Sequence, residues 1–130
     1  MKYLHTMVRI SNVDRSLDFY CNKLGFREVR RMESPQGRFT LFYLAAPGDD
    51  DEDAQLELTH NWDVTEYELG NAFGHIAIEV DDVYQACEQI KKLGGIITRE
   101  AGPMKNSTTV LAFIKDPDGY MIELLEAKRT

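Results

Sequence analysis

Gly74-His75-Ile76-Ala77-Ile78-Glu79-Val80 reads as a short strand with one histidine among small and apolar residues. Period-2 alternation puts Ile76, Ile78 and Val80 on one face and His75 on the other. The same layout occurs earlier, in His5-Thr6-Met7-Val8-Arg9-Ile10, at an offset of 70 residues. There Val8 and Ile10 share one face, while His5, Met7 and Arg9 share the other. A chain that starts over after so long a stretch is a duplicated half-domain, since solenoid repeats are shorter and more numerous.

Both histidines lead into the same order of elements. After His5, Asn12 or Asp14 is placed to cap a helix through about residue 24, with Val13, Leu17, Phe19, Tyr20 and Leu24 as its apolar stripe. Gly25 suits the position just past its end. Strands are predicted over 27–32, 39–44 and 55–59. The turn Ser34-Pro35-Gln36-Gly37 separates the first two, and the acidic run Asp49-Asp50-Asp51-Glu52-Asp53, read as a solvated loop tip, precedes the third. After His75, Asp81 or Asp82 caps a helix through Leu93, carrying Val83, Ala86, Cys87, Ile90 and Leu93, and Gly94-Gly95 ends it. Further strands are predicted over 96–100, 109–114 and 120–125, with turns at 103–107 and at Asp116-Pro117-Asp118-Gly119. The predicted class is therefore α+β, two βαβββ repeats at about 3–60 and 74–127 within one domain spanning 1–130. Residues 60–72 join the copies and are unusually aromatic for a linker.

Composition narrows the partners. With 43% hydrophobic residues in 130, the chain is large enough to bury a core. Its net charge of −7 argues against nucleic acid and anionic membrane as partners. No apolar run approaches a membrane span, and Met1-Lys2-Tyr3-Leu4-His5 lacks the apolar core of a signal peptide, so a cytoplasmic location is expected. Cys21 and Cys87, both on predicted helices, fit buried reduced thiols.

Each copy opens on a strand with one His and closes on a strand with one Glu: His5 and Glu57, then His75 and Glu123. Their immediate neighbours are apolar or small, so parity turns all four away from the helix-packed face. Taken singly, a strand histidine reads as a hydrogen-bonded interior or surface residue, and a strand glutamate as a solvated one. Four at matching places point instead to an N2O2 site for a divalent metal, nickel, zinc or cobalt, on the concave side of a curved sheet. His60 has no counterpart in the second copy and reads as a loop histidine. Arg9 shares a face with His5, and Asn61 with Glu57 and Thr59. Arg99 and Lys105 lie around the corresponding turn of the second copy. In an acidic chain, cations on that face suit a carboxylate-bearing ligand.

HTMVRI, LDFYCNKLGF, LELTHNW, YELGNAFGHIAIEV and DPDGYMIELLE together resemble the short bacterial type of the glyoxalase I family, within the vicinal-oxygen-chelate superfamily, over about residues 3–127. The resemblance implies curved mixed sheets with helices on the convex face. It implies His5, Glu57, His75 and Glu123 as ligands of one octahedral metal per site with two waters, nickel favoured and zinc or cobalt as alternatives. The implied reaction isomerises the hemithioacetal of methylglyoxal and glutathione to S-lactoylglutathione through an ene-diolate, with Glu123 as base and Glu57 as ligand only. Arg9 and Asn61 match positions that hold the glutathione moiety, and Arg99 and Lys105 complete the set, although Lys105-Asn106-Ser107 departs from the family's glycine-rich turn. A homodimer is implied, each site built from the first half of one chain and the second half of the other. Two other readings compete: the same site acting on a different thiol adduct, and a metal-free small-molecule-sequestering protein.

Overall fold

Each of the two histidine strands founds its own four-stranded sheet. The computed structural model describes residues 1–128. The chain divides into two compact units, Met1–Glu68 and Leu69–Thr130. Among the described residues no helix is long and apolar enough to cross a membrane.

In the first unit β1 (His5–Arg9) leads to a helix, α1 (Val13–Leu17), that continues as a π-helical segment over Asp18–Lys23. Of the two possible caps, Asn12 is used: its side chain accepts from the Arg15 N–H at 2.9 Å. The one-residue-wider winding shows in the Leu24 N–H donating to the Phe19 carbonyl at 3.1 Å. It lets the consecutive rings of Phe19 and Tyr20 both turn inward, where they are buried. Tyr20 meets Phe26 edge-on, with centroids 5.9 Å apart. Gly25, at φ +81°, then turns the chain as only glycine does without strain. β2 (Arg27–Ser34), β3 (Phe39–Ala45) and β4 (Gln55–Asn61) complete a sheet of order β1-β4-β3-β2. β1 runs parallel to β4 and the other pairs are antiparallel.

The second unit repeats this order: β5 (His75–Val80), α2 (Val83–Lys92), β6 (Ile96–Pro103), β7 (Val110–Lys115) and β8 (Met121–Glu126), in the order β5-β8-β7-β6. Asp82 is the cap that α2 uses, accepting from the Gln85 N–H at 3.0 Å. Val83, Cys87 and Ile90 of α2 are buried, as are Ala112, Ile114, Ile122 and Leu124 from the strands it packs on. The fold class is α+β, two four-stranded mixed sheets with the repeat read from the sequence.

Several boundaries differ from expectation, among them that of β2, which runs on to Ser34 where a turn was expected. β1 begins at His5, leaving Tyr3 and Leu4 exposed. β4 runs two residues further than the pattern suggests, because Thr40 and Phe39 extend the ladder to His60 and Asn61. His60 is therefore a strand residue and not a loop histidine. β6 runs to Pro103 through two register shifts, one on each side of Arg99.

The connections are tied down by side chains. Arg27 donates to the carbonyls of Ala46, Pro47 and Asp49 and to the Asp51 carboxylate, so the acidic loop is exposed yet organised on one guanidinium. After β4, Trp62 Nε1 donates to Thr40 Oγ1 at 2.8 Å, and Arg38 grips Asp63 with two 2.7 Å bonds. In the second unit the buried Asp116 carboxylate accepts from the N–H groups of Asp118 and Tyr120, while Gly119 at φ +99° closes the turn.

Candidate active site

The parallel pairing of β1 with β4 decides which side chains meet. His5 lies opposite Gln55 and Met7 opposite Glu57, so His5 and Glu57 are diagonal neighbours on one face. His5 Nε2 stands 3.0 Å from Glu57 Oε2. The pairing of β5 with β8 repeats the diagonal, with His75 opposite Met121 and Ala77 opposite Glu123. There the Nε2–Oε1 distance is 3.3 Å.

The third strand of each sheet adds an aromatic ring. Tyr43 stands across from Glu57 and Phe113 across from Glu123. Both rings present an edge to the histidine, at 5.7 Å and 73° for His5 with Tyr43, and 5.3 Å and 80° for His75 with Phe113. Burial, then a hydrogen bond to Glu57, push the Tyr43 phenol above its ordinary pKa, against an opposing pull from Arg30. Glu57 is only 6% exposed, which excludes the solvated-surface reading for it. A carboxylate in that position is tolerable because His5 and the Tyr43 hydroxyl face it.

These separations suit a shared cation. Two donors at right angles on one ion, each at about 2.1 Å, stand about 3.0 Å apart, and at the tetrahedral angle about 3.4 Å. Both observed distances fall in that range. Among the described residues no group of three or more His, Cys, Asp or Glu side chains is placed to hold an ion. What each unit presents is thus a donor pair.

The remaining candidates divide. Arg9 is on β1 with His5, across from Thr59. Asn61 ends β4 on the Glu57 face and donates through Nδ2 to the Tyr67 hydroxyl at 3.1 Å. Between Glu57 and Asn61 on that face, the Thr59 hydroxyl is buried with no hydrogen-bond partner. Arg99 lies across from Phe113, but its guanidinium donates to the carbonyls of Glu100, Gly102, Pro103 and Leu111, filling the irregularity in β6. Lys105 sits in the exposed β6–β7 turn, where Asn106 at φ +61° stands in for glycine. Sequence reasoning passed over Tyr43 and Thr59. Thr59 was visible as a face-mate of Glu57, and Tyr43 through its 70-residue match to Phe113.

Comparison with known proteins agrees with this architecture. The family model described as "Glyoxalase/Bleomycin resistance protein/Dioxygenase superfamily" matches residues 2–124. A lactoylglutathione lyase of Neisseria meningitidis serogroup A is 57% identical over 128 residues, covering 98% of this chain and 92% of its own. The crystal structure of glyoxalase I from Zea mays superposes with a TM-score of 0.92 at 41% identity. That match covers 99% of this chain and 46% of the maize chain, so the chain spans about half the maize protein. The trypanothione-dependent glyoxalase I of Leishmania major gives a TM-score of 0.84 at 39% identity, over 97% of this chain and 86% of that one.

Proposed function

The chain belongs to the glyoxalase/bleomycin resistance protein/dioxygenase superfamily, and from that premise we propose that it is a lactoylglutathione lyase, isomerising the hemithioacetal of methylglyoxal and glutathione to S-lactoylglutathione. The observation that carries the reading is the near-full-length, 57% identical relative of that name. It is supported by the two His–Glu pairs, whose separations suit neighbouring ligands on one ion.

In this reading His5 and Glu57 of one chain, with His75 and Glu123 of a second, hold one divalent cation, nickel favoured over zinc or cobalt. Two pairs would supply four donors, a number that suits such an ion. When bound, the ion supplies Lewis-acid stabilisation for negative charge that develops on the substrate's two oxygens. Glu123 takes the proton from the carbon bearing sulfur and delivers it to the neighbouring carbon, while the hydroxyl proton passes from the oxygen on the first carbon to that on the second, so that the isomerisation needs no external oxidant. His5, His75 and Glu57 hold position throughout. Arg9 and Asn61 hold the charged and amide groups of the thiol moiety, and Lys105 adds a cation at an exposed turn. Arg99, bound to four carbonyls, contributes mainly by shaping β6.

A different thiol is the second reading, because a 39% identical relative is described as trypanothione-dependent. One experiment separates the alternatives: turnover of methylglyoxal with glutathione and with trypanothione, after chelation and after return of nickel, zinc or cobalt. The proposal expects glutathione-dependent turnover that chelation abolishes and nickel restores best. Turnover with trypanothione alone would transfer the assignment to that thiol, and no metal-dependent turnover with either would refute it.

A further inference from the structure

The two donor pairs share a strand layout, and one ring beside them differs by a hydroxyl. Tyr43 and Phe113 occupy the same place in their sheets, each across from its glutamate and edge-on to its histidine. Tyr43 alone carries an O–H, at the strand position directly across from Glu57 and edge-on to the histidine that Glu57 meets. The ring that carries it is fixed: Tyr43 is 7% exposed, and the Arg30 guanidinium lies 3.9 Å from its centroid. In the second unit the arginine across from the ring, Arg99, turns to backbone carbonyls instead. The Glu57 side chain is 8% exposed and the Glu123 side chain 15%.

A carboxylate that receives a fixed donor on one oxygen has its torsions restricted and its other lone pairs pre-aimed. That suits a ligand that stays on an ion and hinders one that must swing away to carry a proton. We propose that Tyr43 is a positioning residue that locks Glu57 in place as the permanent carboxylate ligand, and that Phe113, by offering no hydroxyl, leaves Glu123 mobile enough to serve as the base. The inference rests on the reading of the paired donors as a metal centre with Glu123 as its base. It adds the physical reason why two glutamates at equivalent places divide those roles.

The test removes the hydroxyl from one copy and adds it to the other. Tyr43→Phe is expected to weaken nickel binding by the metal-free dimer about tenfold, read by calorimetric titration without any turnover. Phe113→Tyr is expected to lower kcat about tenfold while KM is unchanged and nickel binding is unchanged or tighter, because Glu123 is now restrained. The proposal is overturned if Tyr43→Phe binds nickel as wild type does, or if Phe113→Tyr keeps wild-type kcat. Should Tyr43→Phe fold poorly by circular dichroism, Phe113→Tyr still decides the matter. Failure of the underlying reading has its own signature: Glu123→Gln would turn over normally, whatever the tyrosine variants do.

Discussion

Glu57 lies between Leu56 and Leu58 and is buried with them, although alternation alone would send it to water on the opposite face. Its partners His5 and Tyr43 explain the burial, and both come from neighbouring strands. The two His–Glu pairs were legible in the sequence because the chain states them twice at matching places. The place of Tyr43 beside Glu57 was not, because an aromatic in a strand reads as core until its cross-strand neighbour is known. On the assigned mechanism, Glu123→Gln keeps most metal binding and lowers kcat by about 10²–10⁴. Steady-state kinetics with metal analysis would show it, and near-normal turnover would defeat the assignment. The thiols are a contrast case. Burial pushes both Cys21 and Cys87 above the ordinary thiol pKa, so at neutral pH they are held as inert thiols. Disulfide-exchange reagents should label Cys87 at an appreciable rate only when the protein unfolds.

At the scale of elements, the βαβββ order along the chain came from the repeat, and the helix ends from two cap candidates each and the glycines, all local signals, whereas the order of strands within each sheet did not. The irregularities depended on tertiary context: the π-helical winding that buries both Phe19 and Tyr20, and the β6 bulge filled by Arg99. The Asp116 turn was legible from its Pro-Asp-Gly, but the burial of its carboxylate was not. Asp116→Ala strands two backbone N–H groups and should cost about 1–3 kcal/mol in urea unfolding, with Asp116→Asn less harmful. Beyond β4 the Arg38–Asp63 pair, through its hydrogen bonds, holds the Asp63 carboxyl below the ordinary carboxylate value. A depressed folded pKa contributes stability above the unfolded value and loses it as pH falls through the folded one. The gap between wild type and Asp63→Asn should therefore be small at neutral pH, because both groups are exposed, and should vanish in acid or in high salt. An equal gap at all pH values would contradict the pairing.

At the scale of the molecule, duplication provides two units with one His–Glu pair each, and a divalent cation asks for four to six donors. In the proposed reading, the first unit of one chain pairs with the second of another and meets that demand symmetrically about a two-fold axis. The expectation of a partner chain came from the family resemblance, because one chain already carries all four candidate donors, and which surfaces meet is written in no local pattern. The decisive measurement is complementation between two inactive variants, His5→Ala and Glu123→Ala, mixed under conditions that allow subunit exchange. Sites shared between chains give each hybrid dimer one intact set of four donors, so mixing restores about a quarter of wild-type glutathione-dependent turnover. If turnover stays at the level of the separate variants after exchange is shown to be complete, the shared metal centre is wrong.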